Sequence, residues 1–303
     1  MVINNQGYNL IDIHLSEAAS LVNLKIIGND ININGLNLSN REVQSSSVLS
    51  YCTSTRYLNK AISNKQVKAL IIPNAIYKDL STEYKSGMSF IISDTPEYTF
   101  YTIFIKLSLS KYPRYSWNTD FKNAIISKGA IIEKGVLLGN NVIIGNNSVI
   151  KSGSIIGDNV NIGACSVIGG NGFQLIKDDN GVNMSIPHVG RVFIGTNVSI
   201  GDNTTISKSL FEGFTSVGNN SKIDNHVHIA HNCIIGDNCV LTANCSMFGS
   251  SELETNVWLA PNSAIMNKVI VGSNAFIGAS SFVSRNVKPG SRMFGIPAIN
   301  INE

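Results

Sequence analysis

The chain has 303 residues, of which 43% are apolar and 14% are charged, and its formal net charge is +3. This composition is typical of a folded protein with a large core, and so small a net charge without a basic cluster argues against nucleic acid as a partner. No run of eighteen apolar residues predicts a membrane span, and the amino terminus lacks the pattern of a signal peptide. We therefore expect a cytoplasmic protein.

Residues 1–118 predict a small α/β domain. The segments LKIIG, KALIIP and MSFIISD are typical of short strands. The segment from Pro96 to Lys111 predicts a helix, because proline is favoured in the first helical turn. Residues 112–120 combine aromatic side chains with turn formers and predict a linker.

From residue 126 onward, an aliphatic side chain returns at every sixth position. The series begins at Ile126, pauses after Ile168, resumes at Ile194 and, after a short insertion, continues to Val283. Neither a helix nor an alternating strand has this period, whereas short parallel strands that turn a corner every six residues do. The fold class that we predict is mainly β, with a parallel β-helix as the larger domain.

The other positions of the repeat agree with this prediction. Gly commonly follows the aliphatic residue and Asn or Asp follows Gly, as in IGDN, and these residues tolerate the left-handed backbone of a tight corner. A small or β-branched residue stands four places after each aliphatic one, and Cys233, Cys239 and Cys245 occupy that place in consecutive hexads. We therefore interpret these cysteines as interior side chains rather than ligands. The β-helix domain is predicted to cover residues 119–303, with a loop at 169–191.

The repeat resembles the left-handed β-helix of the hexapeptide acyltransferases, whose coils contain three hexads each. Three stretches narrow the resemblance, namely VLSYCTSTRYLNKAI at 48–62, VIGGNGFQLIKDDNGVNMSIPHVGRVFIG at 167–195 and KIDNHVHIAHNCIIGDN at 222–238. Together they look like the UDP-3-O-acylglucosamine N-acyltransferase family, over nearly the whole chain. The resemblance implies an amino-terminal uridine-binding domain, a homotrimer with sites between subunits and no bound cofactor. It also implies transfer of a 3-hydroxyacyl group from acyl carrier protein to the amino group of a UDP-sugar.

The resemblance assigns the catalytic base to His231, in the stretch IAHN. An attacking amine must lose a proton near pH 7, which a histidine can accept. The negative charge that develops on the thioester oxygen needs a fixed hydrogen-bond donor. Gly249 follows His231 by eighteen residues, or one coil, so its backbone N–H is the predicted donor, again as in the family. Asn225 and Asn232 flank the base and are further candidates for binding pantetheine or sugar.

The resemblance also implies a binding site for the nucleotide base between two aromatic rings, Tyr51 and Tyr57. The alternative is that both tyrosines belong to the core of their own domain. Lys268 stands where the family has a second histidine, and it either contacts a phosphate or remains solvated. Phe282, the last residue of its hexad and three coils beyond Ile229, is expected to shorten the acyl chain that fits the groove.

These features predict an N-acyltransferase that moves an acyl group from a thioester to a nucleotide-linked amino sugar, for lipopolysaccharide or another surface glycan. The family's carboxy-terminal helical extension has no counterpart after Ala298, so acyl-CoA stands beside acyl carrier protein as a donor. One alternative is the lipid A pathway enzyme itself, which uses acyl carrier protein. The alternative of another class is a zinc-dependent enzyme like the β-helix carbonic anhydrases, with His226, His231 and His188 as ligands. His226 and His228 are otherwise interpreted as polar surface residues.

Overall fold

The computed structural model describes residues 11–39, 45–111, 115 and 123–301. The predicted linker at 112–120 lies outside the described residues except for Tyr115, and so does the predicted domain boundary between residues 118 and 119.

The amino-terminal part is an α/β layer. Its strands are β1 (Ile13–His14), β2 (Ile26–Ile27), β3 (Asn32–Ile33), β4 (Gly35–Leu36), β5 (Val48–Tyr51), β6 (Val67–Ile72) and β7 (Ser89–Ile92). Its helices are α1 (Leu15–Ser20), α2 (Thr55–Ser63), α3 (Asn74–Asp79), α4 (Thr82–Gly87) and α5 (Pro96–Ser110). The main sheet has the order β2–β7–β6–β5–β4, in which β4 to β7 run parallel and β2 runs antiparallel. The three strands predicted from sequence correspond to β2, β6 and β7, and the predicted helix corresponds to α5.

Helix α5 forms because its apolar side chains cover the sheet. Phe100, Ile103 and Phe104 are fully buried in the same core as Leu49 and Ile71 of the parallel strands. Burying each of these large side chains contributes about 2 kcal/mol. The carboxyl ends of β5, β6 and β7 meet at one edge of this sheet, which is where parallel sheets commonly bind ligands.

The carboxy-terminal part is the β-helix, with three parallel sheets that every coil visits in turn. The first sheet contains Ile125–Ile126, Ile143–Ile144, Asn161–Ile162, Ser199–Ile200, Lys222–Ile223, Val240–Leu241, Trp258–Leu259, Phe276–Ile277 and Arg292–Phe294, with Ile299–Asn300 added antiparallel. The second contains Ile131–Ile132, Val149–Ile150, Val167–Gly170, Thr205–Ser207, His228–Ile229, Ser246–Met247, Ala264–Ile265 and Phe282–Val283. The third contains Leu137–Leu138, Ile155–Ile156, Arg191–Ile194, Phe214–Val217, Ile234–Ile235, Glu252–Leu253 and Ile270–Val271. The predicted β-helix is confirmed.

Three corners join these sheets. We call the turn from the first to the second sheet the first corner, that from the second to the third sheet the second corner, and that from the third back to the first the third corner. The left-handed residue of a corner is the third after the aliphatic one, as at Asn159, where φ is 56°. The Gly that directly follows the aliphatic residue has another purpose. A Cβ on Gly157 would lie 2.7 Å from the backbone of Gly195 in the next coil, so Gly is needed there for close stacking.

The interior of the β-helix is filled as the repeat predicts. Cys233, Cys239 and Cys245 are fully buried and free of disulfides. Buried serines occupy the same column in other coils, and Ser148 and Ser221 donate hydrogen bonds to carbonyl groups of the next coil. The cysteines are therefore interior side chains.

Two insertions interrupt the β-helix, and both leave it at the second corner. The first follows Val167–Gly170 and contains an antiparallel hairpin of Leu175–Lys177 and Asn183–Ser185. The second follows Thr205–Ser207 and carries Phe211, whose ring lies 5.0 Å from that of Phe104 in α5. Both insertions pack into the core of the amino-terminal part, so the second corner faces that domain. Within the described ranges, no helix is long and apolar enough to cross a membrane.

Candidate functional site

His231 lies at the second corner, half-buried, directly after Ala230. Its Nδ1 is 2.9 Å from Oδ1 of Asn232. The same Oδ1 accepts the backbone N–H of Leu210 at 3.2 Å, and the Asn232 amide nitrogen donates to Ser209 Oγ. These contacts fix which end of the amide faces His231. An oxygen there only accepts, so His231 carries its proton on Nδ1 and leaves Nε2 as the basic nitrogen.

Gly249 faces the basic edge of His231. A Cβ at Gly249 would lie 2.9 Å from both Cε1 and Nε2 of His231, and Ser250 N–H donates to the His231 carbonyl at 2.9 Å. The structure therefore places Gly249 over His231, one coil away, as the eighteen-residue spacing predicts. It also explains why this position is Gly, because any side chain would displace the imidazole.

The Gly249 N–H is available for a ligand. At regular corners the equivalent amide is bonded by a side chain of the next coil: Asn140 N–H donates to Asp158 at 2.7 Å, and Asn219 N–H donates to Asp237 at 2.6 Å. No hydrogen bond between described residues uses the Gly249 N–H. A backbone donor beside an imidazole base is the arrangement that acyl transfer requires.

The first insertion covers the other side of the base. The rings of His188 and His231 are 5.2 Å apart at an interplanar angle of 68°. A Cβ on Gly172 would lie 2.6 Å from His188 Nε2 and 2.9 Å from His231 Cβ, so Gly172 separates the two side chains. His188 is buried, and its Nδ1 is 3.1 Å from the Ile186 carbonyl. Burial, together with the charge on His231, lowers the pKa of His188 to about 4.

The three histidines of the zinc alternative do not meet. His226 lies at the first corner, with φ 58°, while His188 and His231 lie at the second. His228 points outward from the second sheet, and its Nδ1 is 2.8 Å from Thr205 Oγ1. Within the described residues of one chain, no group of three His, Cys, Asp or Glu side chains has the arrangement of a metal site.

A cavity of about 310 Å³ lies between the carboxyl edge of the amino-terminal sheet and the second corner. Tyr51, Tyr57 and Lys268 all line it, together with Lys60 and Glu97. The structure thus brings together three residues that sequence predicts to bind a nucleotide sugar. Lys268, Ser250 and Asn232 occupy the same corner place in successive coils, so the cavity and the base are two coils, or roughly 10 Å, apart along the β-helix axis.

The two tyrosines of this cavity differ. Tyr51 is anchored in the core: its ring lies 5.0 Å from Phe100, its hydroxyl donates to Glu97 at 3.0 Å, and burial raises its pKa. Tyr57 on α2 is 49% exposed, with Arg56 beside its ring. Tyr51 therefore forms a fixed wall, whereas the Tyr57 ring is free to pack against a ligand.

The structure corrects the interpretation of Asn225. Asn225 precedes His231 by one hexad and so lies at the first corner, where its Oδ1 accepts the N–H of Asp202 at 2.7 Å. It closes a regular corner and does not flank the base. Asn232 does flank the base, but its side chain is used to hold His231.

The strand register also corrects the position of Phe282. Phe282 pairs with Ala264, Ala264 with Ser246, and Ser246 with His228, so it lies in line with His228 rather than Ile229. Its side chain is half-buried on the outer face of the second sheet, after two small residues.

The positioning role of Asn232 and the contact of His188 with His231 could not be predicted from sequence. Both depend on the insertions, because Ser209, Leu210 and His188 come from irregular segments without a period. The signal that was available is the Asn directly after His231, a residue type that readily accepts a hydrogen bond from an imidazole.

Comparison with known proteins finds relatives of the β-helix part of the chain. The family model described as Bacterial transferase hexapeptide (six repeats) matches residues 135–170 and 214–249. A UDP-3-O-acylglucosamine N-acyltransferase of Caulobacter sp. (strain K31) is 37% identical over 142 residues, which are 47% of this chain and 41% of the relative. The one from Coxiella burnetii (strain Dugway 5J108-111) is 46% identical over 71 residues, which are 23% of this chain and 20% of the relative. The expected resemblance over nearly the whole chain is thus limited, in these alignments, to about half of it.

A solved structure, a UDP-N-acetylglucosamine acyltransferase from Campylobacter jejuni, superimposes with a TM-score of 0.50 at 26% identity. The superposition covers 60% of this chain and 73% of that one. The chain spans about two fifths of the length of the first curated relative, at 41%. The chain therefore carries the hexapeptide repeat of bacterial transferases, and it is related in sequence to UDP-3-O-acylglucosamine N-acyltransferases and in fold to a UDP-N-acetylglucosamine acyltransferase.

Proposed function

We propose that this protein is an N-acyltransferase that moves an acyl group from a thioester to the amino group of a nucleotide-linked amino sugar. The observation that carries the proposal is the arrangement at the second corner: Asn232 holds His231 with its basic Nε2 toward Gly249, whose N–H is available. The related sequences, named for acyl transfer to a UDP-linked glucosamine, support the same chemistry.

The chemistry follows from these groups. The neutral amine attacks the thioester carbonyl carbon, and Nε2 of His231 accepts the proton that the amine must lose. Gly249 N–H donates to the oxygen that becomes negative in the tetrahedral intermediate. When that intermediate collapses, the carbon–sulfur bond breaks, and the His231 imidazolium returns its proton to the departing sulfur. The products are the amide and a free thiol.

The cavity supplies the nucleotide site of the proposal. The exposed ring of Tyr57 and the fixed ring of Tyr51 provide flat apolar surface for a base. Lys60 and Lys268 place two ammonium groups beside it, which suits a diphosphate. A nucleotide bound there has its sugar toward His231, along the same corner.

The acyl chain is proposed to follow the outer face of the second sheet away from His231. Ser246 and Ala264 leave a shallow floor there, and the exposed side chains of Phe248 and Met266 border it. Phe282 stands next in this column and closes it. Phe282→Ala should extend the preferred acyl length, and unchanged chain-length preference would contradict this role.

A homotrimer is part of the proposal. Ile234 and Ile270 on the third sheet and Trp258 on the first sheet are large apolar side chains between 38% and 46% exposed on the outer faces of the coils. Burial of such side chains against other copies stabilises an assembly. Light scattering coupled to size exclusion should give three times the chain mass, and a monomer would contradict this part.

The activity is tested by thiol release across a matrix of donors and acceptors. The donors are short-chain acyl-CoAs and 3-hydroxyacyl carrier proteins, and the acceptors are UDP- and dTDP-linked amino sugars with and without an O-acyl group. We expect turnover that His231→Ala reduces by about 10² to 10⁴ in kcat, since it removes the base. His226→Ala is the matched control, because His226 lies at another corner.

The donor and acceptor that give turnover identify the biosynthetic pathway in which the protein acts. Turnover with carrier protein and O-acylated UDP-glucosamine assigns the lipid A pathway. Turnover with acyl-CoA and a simple amino sugar assigns a relative that decorates another surface glycan. Thiol release that is independent of His231 contradicts the proposed mechanism.

A further inference from the structure

The loop that covers His231 contributes an aromatic nitrogen with no function in the proposed mechanism. His188 is 4% exposed, and its Nε2 is buried without a hydrogen-bond partner among the described residues. Leaving such a group unpaired in the interior destabilises the fold, so a buried nitrogen of this kind needs an explanation.

The protonation state of His188 follows from its surroundings. The Ile186 carbonyl can only accept, so Nδ1 of His188 carries the hydrogen and Nε2 presents a lone pair. His188 is uncharged at neutral pH, because burial and His231 lower its pKa to about 4. A point at the Cβ position of Gly172 would be 2.6 Å from this Nε2 and 3.0 Å from His231 Cδ2, so this nitrogen lies close to the His231 ring.

We propose that His188 is a positioning residue for the base: its ring fixes the plane of His231, and its bare Nε2 places a negative pole beside His231 when His231 gains a proton. The inference rests on the proposed function, in which His231 becomes positive during each turnover. A fixed dipole directed at a charge that develops in the reaction stabilises the transition state without reorganisation.

The groups around the pair allow this assignment. Gly172 and His188 from the loop, Asn232 beside Nδ1 and Gly249 from the next coil contact His231, and His188 is the titratable one among them. The charge on Lys208 also acts on His188, and Lys208 itself interacts with the charges of Glu133 and Lys151. The positive Lys208 helps to keep His188 neutral.

Two substitutions distinguish the contribution of the His188 ring from that of its Nε2 lone pair. His188→Phe keeps an aromatic ring and removes the acceptor, whereas His188→Gln removes the ring and retains an acceptor oxygen. In His188→Phe the acid limb of the kcat/KM profile should move to lower pH, because protonated His231 loses its partner. We expect kcat to fall about tenfold with KM for the amino sugar unchanged, and His188→Gln to restore the limb to its wild-type position.

A second measurement needs no substrate. The ring protons of His231, assigned by their loss in His231→Ala, should titrate at lower pH in His188→Phe than in the wild type. His14→Gln, in the amino-terminal domain, is the control and should leave this titration unchanged. Equal titration of His231 in the wild type and in His188→Phe overturns the inference. An equal loss of rate in His188→Phe and His188→Gln, without a shift of the acid limb of the kcat/KM profile, also overturns it. Absence of turnover in every variant, with the titration shift present, overturns the proposed function instead.

Discussion

The first and third corners of the β-helix differ from the second in how they use the same repeat. At the third corner, Asn141, Asn159, Asn197 and Asn220 form a ladder of side-chain hydrogen bonds from coil to coil. At the first corner, Ala164 and Asp202 donate their N–H groups to side chains of the next coil. These two corners use their polar groups for cohesion between coils.

In the coils that carry His231, Gly249 and Lys268, the second corner does not use the same groups for cohesion between coils. Asn232 is directed toward His231 and the second insertion, and the Gly249 N–H is not bonded by a described residue. Lys268 adopts φ 64°, whereas most left-handed residues at the other two corners are Asn. Both insertions also leave at this corner. The comparison teaches that the site forms where the hydrogen bonds that join regular corners of neighbouring coils are absent, so that the same polar groups can serve a ligand.

The largest effect is expected for Gly249→Ala. Gly249 does not need a positive φ, and the equivalent places in neighbouring hexads carry Ala243 and Thr255, so the backbone accepts Ala. The new Cβ would lie 2.9 Å from the His231 ring and would displace it. We expect kcat to fall about a hundredfold, because misplacement of a catalytic group by 1 Å costs about that factor. The melting temperature should stay close to that of the wild type, and Gly87→Ala, which meets no neighbour, is the control. Full activity in Gly249→Ala would show that the base is elsewhere.

A smaller loss is expected when the contact that orients the base is removed. Asn232→Gly keeps the left-handed backbone, φ 62°, and deletes the acceptor for His231 Nδ1. A lost hydrogen bond of about 1 to 3 kcal/mol predicts a fall in kcat of about fivefold to 150-fold. The acid limb of the rate profile should move to lower pH, because the His231 imidazolium loses its acceptor. Asn238→Gly is the matched control, because Asn238 has φ 57° at the third corner. Equal effects of the two substitutions on kcat would mean that the second corner is an ordinary corner.

The part of the site that follows the six-residue period could be predicted from sequence, and the part that depends on the insertions could not. The six-residue period placed Gly249 over His231, three hexads later, and the structure has that register. The same six-residue period places Asn225 one corner before His231. Its closeness to His231 in the sequence led to the wrong expectation that it flanks the base. His188 could not be predicted, since the loop that carries it has no period and reaches His231 through tertiary packing. Helices α1 to α4 were also missed, because six to nine residues are too few to show a clear helical period.

Substitution of Lys268 tests whether the second corner also binds substrate at the cavity. A Lys with φ 64° is held in a conformation that Asn tolerates better, so Lys268→Asn should stabilise the fold slightly, by about 1 kcal/mol or less. If its ammonium contacts a phosphate, the same substitution should raise KM for the nucleotide sugar about tenfold at low salt and leave kcat nearly unchanged. Lys134→Asn, an exposed lysine of an early coil, controls for the change in net charge. An unchanged KM would mean that Lys268 is solvated and that the cavity needs another cation.

The smallest effect on activity is expected for substitution of the cysteines. Their reactivity toward a thiol reagent distinguishes a corner position from an interior position. Cys165 is exposed at a first corner with φ 55°, whereas Cys52, Cys233, Cys239 and Cys245 are buried. Burial raises the pKa of Cys233 to about 11 and raises those of the other three as well, so their reactive thiolate forms are scarce at pH 8. A thiol reagent should therefore titrate one group per native chain and five after denaturation, and Cys165→Ser should abolish the native reaction. Rapid reaction of Cys233, Cys239 or Cys245 would mean that the coils open readily, and the regular part of the β-helix would then lack the cohesion that its corners imply.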